Sequence, residues 1–458
     1  MPSSFDAIII GTGQSGPPLA GRLTAAGMRV AIIERKLFGG TCVNTGCIPT
    51  KALIASAKAI HMARRAADYG FRTGPIAVDM AAVKARKDAI VAQSNQGVEK
   101  WLRGMKNCTV YQGHARFESP RTVRVGDNVL EAGKIFIDVG GRAVVPAVAG
   151  LDNVGFLTNS SMMSVDFLPR HLVIVGGGYV GLEFGQMFRR FGSEVTIVQR
   201  GECLASREDP DICDAIRQVV EGEGIEILSS ATVHQVDGRD GQVTAKVTAG
   251  GKEREVTGSH LLVATGRVPN TDDLGLDRAR VAVNARGYIQ VDDQLRTNVP
   301  GIWAMGDCNG RGAFTHTSYN DFEIVAANLL DNDPRRVSDR ILAYNLYIDP
   351  PLGRCGMTES EVRQSGRKAL IGTRPMTRVG RAVEKGETQG FMKVLIDAET
   401  KLILGASLLG VECDEVIHSL LDIMYAKAPY TVIERAVHIH PTVSELVPTM
   451  LGELRALQ

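Results

Sequence analysis

The chain has 458 residues, and its 52 basic and 51 acidic side chains leave a formal net charge of +1. This length predicts two or three domains with full apolar cores. The balanced charge, without a basic tail, argues against a nucleic-acid partner, and no apolar run approaches the ~20 residues of a membrane-spanning helix. No targeting or lipidation pattern is found, so we expect a soluble, cytoplasmic protein.

The first elements form a dinucleotide-binding pattern. Residues 5–10 predict a buried strand, which is followed by a helix over 17–26 and a second strand over 28–33. Between the first strand and the helix lie three glycines in the spacing G-x-G-x-x-G: Gly11, Gly13 and Gly16. Glu34 closes the unit at the position where an acid binds the adenosine ribose hydroxyls. A ligand-free glycine turn is the alternative, but the order of elements favours a nucleotide site.

Two cysteines, Cys42 and Cys47, follow this unit with four residues between them. Residues five apart on a regular helix are ~7.5 Å apart along its axis, whereas the Cα atoms of a disulfide lie roughly 4.4–6.8 Å apart. The pair can therefore bridge only across a distorted turn, for which Gly46 supplies the freedom. A helix starting here, with Pro49 in its first turn, would favour a thiolate on Cys47. We interpret the pair as a redox disulfide, with a structural bridge or half of a metal site as alternatives.

A similar pattern returns in the second third of the chain. Residues 171–175 predict a strand, and a second strand is predicted over 194–198 after an intervening helix. Three glycines open that helix: Gly176, Gly178 and Gly181. At the position of the ribose-binding acid stands Gln199, followed by Arg200 and Arg207. Losing the acid and gaining arginines favours a 2′-phosphate and hence NADPH over NADH, although loop arginines are also typical of solvated surface.

The segments between and after these motifs predict further elements. A helix is predicted near 79–104, strands within 108–145, and a helix near 320–330. From residue 341 onward, the pattern predicts strands over 342–348, 369–374, 390–396 and 403–409 and helices over 414–426 and 444–454. Such a mixture indicates an antiparallel sheet backed by helices.

Three later motifs complete the pattern. Residues 264–270 read ATGRVPN and include Gly266, and residues 301–307 read GIWAMGD and end at Asp307. Near the C-terminus, the string HIHPTVSE contains His440 and Glu445. A histidine titrates near neutrality, as thiol chemistry requires, and a carboxylate on its far ring nitrogen would fix its tautomer. A packed structural histidine is the alternative.

Taken together, these motifs resemble the flavin-dependent pyridine nucleotide–disulfide oxidoreductases, the group of dihydrolipoamide dehydrogenase, glutathione reductase and mercuric reductase. The resemblance covers essentially the whole chain. It implies an α/β fold with two Rossmann-like domains, for FAD and NAD(P), and a C-terminal α+β dimerisation domain. We expect the FAD domain with the redox disulfide over residues 1–145, the NAD(P) domain over 146–267, a return segment of the FAD domain over 268–335 and the dimerisation domain over 336–458.

The resemblance also implies roles for individual residues. Cys47 would face the flavin as the charge-transfer thiolate and Cys42 would attack the substrate, while Lys51 and Glu183 would form an ion pair near the reactive flavin nitrogen. The acid/base would be His440, oriented by Glu445 and serving the partner's cysteines in a homodimer with two shared sites. The residues predicted to contact FAD or NAD(P)H, including an aromatic gate at Tyr179, are Gly11, Gly13, Gly16, Glu34, Gly40, Thr41, Gly176, Gly178, Tyr179, Gly181, Arg200, Arg207, Gly266 and Asp307.

The substrate is indicated by smaller features. Residues 137–142 and 344–356 are similar to the mercuric-reductase-like branch, yet the chain ends at Gln458 without the adjacent cysteines usual in mercuric reductases. We therefore predict an oxidoreductase that passes electrons from NADPH, or from NADH, through FAD to Cys42–Cys47 and on to a disulfide or thiol-reactive metal ion, with no resident metal. Dihydrolipoamide dehydrogenase is the enzymatic alternative; an NAD(P)H oxidase and a stoichiometric metal-binding protein are alternatives from other classes.

Overall fold

The computed structural model of the chain describes residues 2–239 and 241–457. Within these ranges, no helix is both long enough and apolar enough to cross a bilayer. The N-terminal part contains, in chain order, β1 (Ser3–Ile10), α1 (Gly16–Ala25), β2 (Val30–Glu34), α2 (Gly40–Asn44), α3 (Cys47–Arg64), α4 (Met80–Gly104), β3 (Cys108–Gln112), β4 (Ala115–Ser119), β5 (Thr122–Val125), β6 (Asn128–Ile137) and β7 (Gly141–Ala143).

The first sheet is built around the predicted nucleotide unit. Its strands lie in the order β3-β2-β1-β6-β5-β4, and β1 pairs in parallel with both β2 and β6. Helix α1 packs on it through Leu19, Ala20 and Leu23, whose spacing places them on one face. The predicted strand, helix and strand are thus confirmed, with boundaries shifted by one or two residues.

The second nucleotide unit and its connections follow. They comprise β8 (Phe156–Leu157), β9 (His171–Val175), α5 (Tyr179–Phe191), β10 (Glu194–Val198), α6 (Pro210–Gly222), β11 (Glu226–Leu228), β12 (Ala231–Arg239), β13 (Gln242–Ala249), β14 (Lys252–Gly258), β15 (His260–Val263) and β16 (Arg267–Pro269). Strands β11-β10-β9-β15-β8 form a parallel sheet, and β12-β13-β14 form an antiparallel sheet beside it. Strand β16 pairs with β7, so the chain leaves and re-enters the first unit through adjacent strands.

The return segment completes the first sheet. Strand β17 (Ile302–Ala304) pairs in parallel with β6, and α7 (Thr315–Ala326) follows it. The prediction of a helix near 320–330 is correct in type but wrong in its start. Residues 315–319 are mostly polar and short, so the sequence shows no helical period there, although Thr317 and Ser318 are buried against the neighbouring loops.

The C-terminal part contains β18 (Ala343–Leu346), β19 (Leu352–Gly356), α8 (Glu359–Gln364), β20 (Ala369–Pro375), α9 (Gly380–Glu384), β21 (Phe391–Asp397), β22 (Ile403–Leu409), α10 (Cys413–Tyr425), α11 (Thr431–Glu434), α12 (Leu446–Gly452) and β23 (Arg455–Ala456). Its six strands form one sheet in the order β18-β19-β22-β21-β20-β23, and the pairings are antiparallel. The predicted antiparallel sheet backed by helices is confirmed. Strand β19, which no pattern predicted, contains the buried Arg354 among small and apolar residues.

Candidate active site

A cavity of about 940 Å³ connects the first nucleotide motif, the cysteine pair and the second nucleotide motif. This volume lies in the range of cofactor sites. Predicted site residues on its wall are Gly11, Gly13, Glu34, Gly40, Thr41, Cys42, Cys47, Lys51, Tyr179, Glu183 and Asp307. The structure therefore brings most of the predicted residues, which come from three separate stretches of sequence, to one place.

The glycines of the first motif leave room for a ligand's phosphates. Gly11 has φ +109°, and a Cβ atom there would lie 2.0 Å from the backbone oxygen of Asp138. A Cβ on Gly13 would lie 2.9 Å from the carboxylate of the same aspartate, so only glycine fits at either position. The Gly16 N–H donates to Asp138 Oδ2 at 2.8 Å. Without side chains, the loop backbone can approach a pyrophosphate closely.

Asp138 is a residue that the sequence analysis missed. It follows β6 directly, it is 4% exposed, and burial raises the pKa of its carboxyl well above the ordinary value. Nearby carboxylates, including Asp307, raise the pKa further. The sequence signal that could have identified Asp138 is an acidic residue directly after a buried strand of the same sheet as the glycine motif.

Two further carboxylates, Glu34 and Asp307, line the same cavity. Glu34 ends β2 and accepts hydrogen bonds from the Thr12 N–H at 3.1 Å, from the Thr12 hydroxyl, and from the Lys36 N–H at 2.7 Å. Asp307 follows β17, and the Arg267 guanidinium lies 3.5 Å from its Oδ2. Burial raises the pKa of Asp307, an effect that the Arg267 charge opposes. Both carboxylates are thus held in place by neighbouring groups.

The cysteine pair occupies a break between two helices. Helix α2 ends at Asn44 and α3 begins at Cys47, so the helical path is interrupted as the disulfide geometry requires. A Cβ on Gly46 would lie 2.9 Å from the Thr41 backbone oxygen, which explains the glycine. Both cysteines carry free thiols in this structure. The expected distorted turn is confirmed, whereas the redox disulfide stays a prediction.

The two thiols differ in acidity. A hydrogen bond from Cys42 lowers the pKa of Cys47 to about 6, despite the opposing effect of burial, and the Thr315 hydroxyl and the Lys51 charge lower it further. Thr315 Oγ1 lies 3.0 Å from Cys47 Sγ. Conversely, the hydrogen bond with Cys47 and burial raise the pKa of Cys42 well above the ordinary value. In the reduced pair, Cys42 therefore keeps its proton and Cys47 is the thiolate.

We expect Thr315→Val to raise the pKa of Cys47, because a hydroxyl donor to the thiolate is lost while the side-chain shape is kept. At pKa 6 roughly nine-tenths of Cys47 is ionised at pH 7, so a rise of about one unit leaves about half. The rate of iodoacetamide alkylation against pH measures this midpoint. Thr315→Ser, which keeps a hydroxyl, is the control; an identical midpoint in all three proteins would contradict the assignment.

Lys51 lies one helical turn after Cys47 on α3 and pairs with Glu183 of α5. The Lys51 Nζ lies 2.8 Å from Glu183 Oε2 and 4.5 Å from the centre of the Tyr347 ring. Glu183 is 8% exposed and also accepts the Tyr347 N–H at 3.0 Å. The ion pair thus joins the helix of the cysteine pair to the helix of the second nucleotide motif.

The second motif repeats the glycine geometry of the first. Gly176 has φ +113°, and a Cβ there would lie 2.4 Å from the Ala264 oxygen; a Cβ on Gly181 would lie 2.0 Å from the Gly176 oxygen. Gln199 accepts the Gly177 N–H at 3.0 Å. Other predicted contacts lie nearby: Gly178 precedes α5, and Gly266, with φ +127°, accepts the Val144 N–H at 2.9 Å. Arg200 and Arg207 are exposed on the loop after β10.

His440 and Glu445 form a pair that lies away from the cavity of their own protomer. Glu445 Oε2 lies 2.9 Å from His440 Nδ1, and the side chains are 79% and 17% exposed. Beside them, Val437 is 100% exposed and Ile439 80% exposed. In one protomer the structure therefore does not bring His440 to Cys42, and its predicted service to the partner's cysteines stays a prediction.

Comparison with known proteins identifies the architecture. The pyridine nucleotide-disulphide oxidoreductase domain matches residues 5–321, and the dimerisation domain of the same family matches residues 342–451. The chain belongs to this family. It is accordingly an FAD-dependent enzyme that uses a pyridine nucleotide, with two Rossmann-like domains and a dimerisation domain, and the resemblance stated from the motifs is confirmed.

Individual relatives align over nearly the full length. The probable pyridine nucleotide-disulfide oxidoreductase RclA of Escherichia coli is 36% identical over 97% of this chain and 98% of its own length. Mercuric reductase of Streptomyces lividans is 34% identical over 97% and 94%, and dihydrolipoyl dehydrogenase of Thermus scotoductus is 32% identical over 96% and 95%. The solved structure of E. coli RclA, described as an HOCl-induced flavoprotein disulfide reductase, superposes with a TM-score of 0.90 over 98% of this chain and 99% of its own.

Among the described residues, no three His, Cys, Asp or Glu side chains are arranged to hold a metal ion. Thr315 and Asp138 are two cavity residues to which sequence reasoning assigned no role in the site. Thr315 contacts Cys47 across 268 positions of sequence, which no local spacing indicates.

Proposed function

We propose that this enzyme uses NADPH to reduce its Cys42–Cys47 disulfide and, through it, a small-molecule disulfide or a thiol-reactive metal ion. The observation that carries the proposal is the shared cavity, whose wall includes the cradle of the first motif, both thiols, and Tyr179 and Glu183 of the second unit. A single cavity of this kind allows a bound flavin to contact both the pyridine nucleotide and the dithiol, as a relay from NADPH through FAD to the disulfide requires.

The first cradle fits FAD. We propose that Gly11, Gly13 and Gly16 face its pyrophosphate, that Glu34 binds the ribose hydroxyls, and that Asp307 binds the ribityl chain, with Gly40 and Thr41 on the same wall. Two observations support this placement: side chains on the loop glycines would clash with the backbone and with Asp138, and Glu34 and Asp307 both line the cavity. When bound, FAD accepts a hydride from the pyridine nucleotide and returns two electrons to the disulfide.

The chain's own residues perform the exchange with substrate. The Cys42 sulfur attacks one sulfur of the substrate disulfide, and the first substrate thiol leaves with a proton. Cys47 then attacks Cys42, which re-forms the internal disulfide and releases the second thiol. Overall, one NADPH and one proton reduce one disulfide to two thiols. Because Cys42 has the raised pKa, it needs a base, and we assign that proton transfer to His440 of the partner subunit.

Arg200 and Arg207 support NADPH as the electron donor, since both are exposed on the loop that follows β10 and Gln199, and guanidinium groups bind phosphates well. In the double variant Arg200→Ala, Arg207→Ala, we expect the KM for NADPH to rise roughly 10- to 100-fold, because charge-assisted hydrogen bonds to the phosphate are lost. The KM for NADH serves as the control and stays unchanged. Equal KM changes for the two nucleotides would contradict the assignment.

The proposal is tested by anaerobic titration of the yellow holoenzyme with NADPH and, separately, with NADH. A long-wavelength band between the Cys47 thiolate and the flavin, appearing at lower NADPH than NADH concentration, supports the relay and the donor. Bleaching of the flavin without this band in either titration would contradict the assignment as a disulfide reductase.

Relatives support two classes of acceptor. A solved structure of E. coli RclA is described as a Cu(II) complex, which favours testing Cu(II) beside small disulfides. Reduction of Cu(II) by the dithiol would yield two Cu(I) ions for each Cys42–Cys47 disulfide formed. The second candidate function is dihydrolipoamide dehydrogenase, favoured by the relative from Thermus scotoductus and by the His440–Glu445 pair. Preferred turnover of dihydrolipoamide with NAD⁺ would select it.

A further inference from the structure

A buried polar group closes the cavity on the side of the second nucleotide motif. We call it the Glu208 cluster; its members are Tyr179, Glu208, Tyr344 and Arg354. The Tyr179 hydroxyl donates a hydrogen bond to Glu208 Oε1, and the Tyr344 hydroxyl donates to the same oxygen at 2.9 Å. On the other side, Arg354 Nε lies 3.6 Å from Glu208 Oε2. The Glu208 side chain is 0% exposed and that of Arg354 1%.

The hydrogen bonds in this cluster are concentrated on one carboxylate oxygen. Within the described residues, Glu208 Oε2 and Arg354 Nε have no hydrogen-bond partner, since 3.6 Å is an ion-pair distance only. The two tyrosine hydroxyls therefore supply the direct hydrogen bonds to a fully buried negative charge. A buried carboxylate holds such donors strongly, because it would otherwise be left desolvated without them.

Residues of the dimerisation domain hold Glu208 in place. Tyr344 lies on β18 and Arg354 on β19. The next residue, Asp209, lies 3.0 Å from the buried Lys393 ammonium and accepts the Glu359 N–H at 2.9 Å. Two neighbouring carboxylates are thus anchored to that domain, and Tyr179 is the one member of the cluster that is only half-buried.

Tyr179 stands on the path between the second glycine motif and the thiols. It is the first residue of α5, one helical turn before Glu183, so both face the cavity. Its ring lies 5.6 Å from that of Tyr344, which stacks on Phe314 at 5.2 Å. A nicotinamide that extends from Gly176–Gly181 would meet the Tyr179 ring, which lines the cavity together with Lys51 and Cys47.

We propose that Glu208 is a positioning residue that latches Tyr179 shut across the nicotinamide end of the cavity, so that nucleotide binding must first break the hydrogen bond from Tyr179. This inference rests on the proposed function, because it assumes a pyridine nucleotide at the second motif. A protein whose binding-competent state is only partly populated shows an affinity reduced by that fraction. The latch therefore weakens binding of the nicotinamide half and leaves the adenosine half, at Arg200 and Arg207, unaffected.

The test measures equilibrium binding to the oxidised holoenzyme by titration calorimetry, with NADP⁺ and with 2′-phospho-ADP-ribose, which lacks the nicotinamide. Tyr179→Phe keeps the ring and deletes the latching hydroxyl, and we expect NADP⁺ to bind roughly three- to tenfold more tightly. Glu208→Gln, a neutral and weaker acceptor, should shift NADP⁺ affinity in the same direction. The affinity for 2′-phospho-ADP-ribose should equal that of the unaltered protein in both variants.

Unchanged or weaker NADP⁺ binding in Tyr179→Phe would overturn the latch, whether or not Glu208→Gln folds without the carboxylate beside the buried Arg354. Equal shifts for both ligands would also overturn it, since they would show a general change in the loop. An unaltered protein that bound neither ligand would instead overturn the proposed function. Binding of both ligands, with no NADP⁺-specific change in Tyr179→Phe, leaves the proposed function intact and removes only the latch.

Discussion

Cys42→Ser protein is expected to lose turnover with a disulfide substrate by about three orders of magnitude or more, because the attacking sulfur is gone. Its Cys47 should remain a thiolate, since a serine hydroxyl can still donate the hydrogen bond that contributes most to lowering the Cys47 pKa. Cys42→Ala removes that donor as well, so its Cys47 pKa should rise. The measurements are substrate turnover and the pH midpoint of Cys47 alkylation.

These variants separate catalysis from flavin chemistry. Reduction of the bound flavin by NADPH is a half-reaction that does not use Cys42, so it should proceed at the rate of the unaltered protein. Full NADPH turnover retained by Cys42→Ser would contradict the dithiol relay and support the oxidase alternative. An alkylation midpoint that was the same in Cys42→Ser and Cys42→Ala would contradict the hydrogen bond from Cys42 as the cause of the low Cys47 pKa.

Mixed dimers of a Cys42→Ser subunit and a His440→Ala subunit are expected to regain about half the activity of the unaltered dimer. Each homodimer should be slower by about 10²–10⁴-fold or more, because it lacks either the nucleophile or its base at both sites. In the mixed dimer, one site combines both defects, while the other combines an intact cysteine pair with an intact His440. The measurement is turnover of dimers purified through two different affinity tags.

This experiment reports directly on site sharing. Contaminating homodimers contribute almost nothing, so recovered activity comes from mixed dimers alone. Glu445→Gln in place of His440→Ala gives a milder matched variant, since the histidine stays and loses only the carboxylate 2.9 Å from Nδ1. Mixed dimers without recovered activity would show that His440 serves the cysteines of its own chain.

The sequence predicted those parts of the site whose chemistry is carried by local spacing. This applies to the two glycine motifs, to the interrupted helix at Gly46 and to Glu34, the predicted ribose ligand. Each lies within a short segment whose periodicity and turn residues can be read directly from the sequence. The antiparallel C-terminal sheet followed from the same kind of pattern, and strand β22 (Ile403–Leu409) has the predicted bounds.

Other features depend on contacts that no local pattern encodes. Tyr344 meets Glu208 across 136 positions, and Thr315 meets Cys47 across 268. Strand β19 was missed because an arginine after two prolines is typical of a loop. The buried charge of Arg354 is balanced by the distant Glu208 and by backbone oxygens of Cys355 and Ala406. Long-range pairing of polar groups in the interior is set by how the domains dock, which spacing along the chain does not specify.

The exposed segment around His440 has a consequence for when a newly synthesised chain becomes active. Val437 and Ile439 are exposed on a single protomer, beside a histidine that is not on the wall of the cavity that holds the cysteine pair. With the base on the opposite subunit, a newly made chain would be idle, and specific activity would fall on dilution below the dissociation constant of the pair. Dimerisation would then control activity, because only assembled dimers could reduce the substrate.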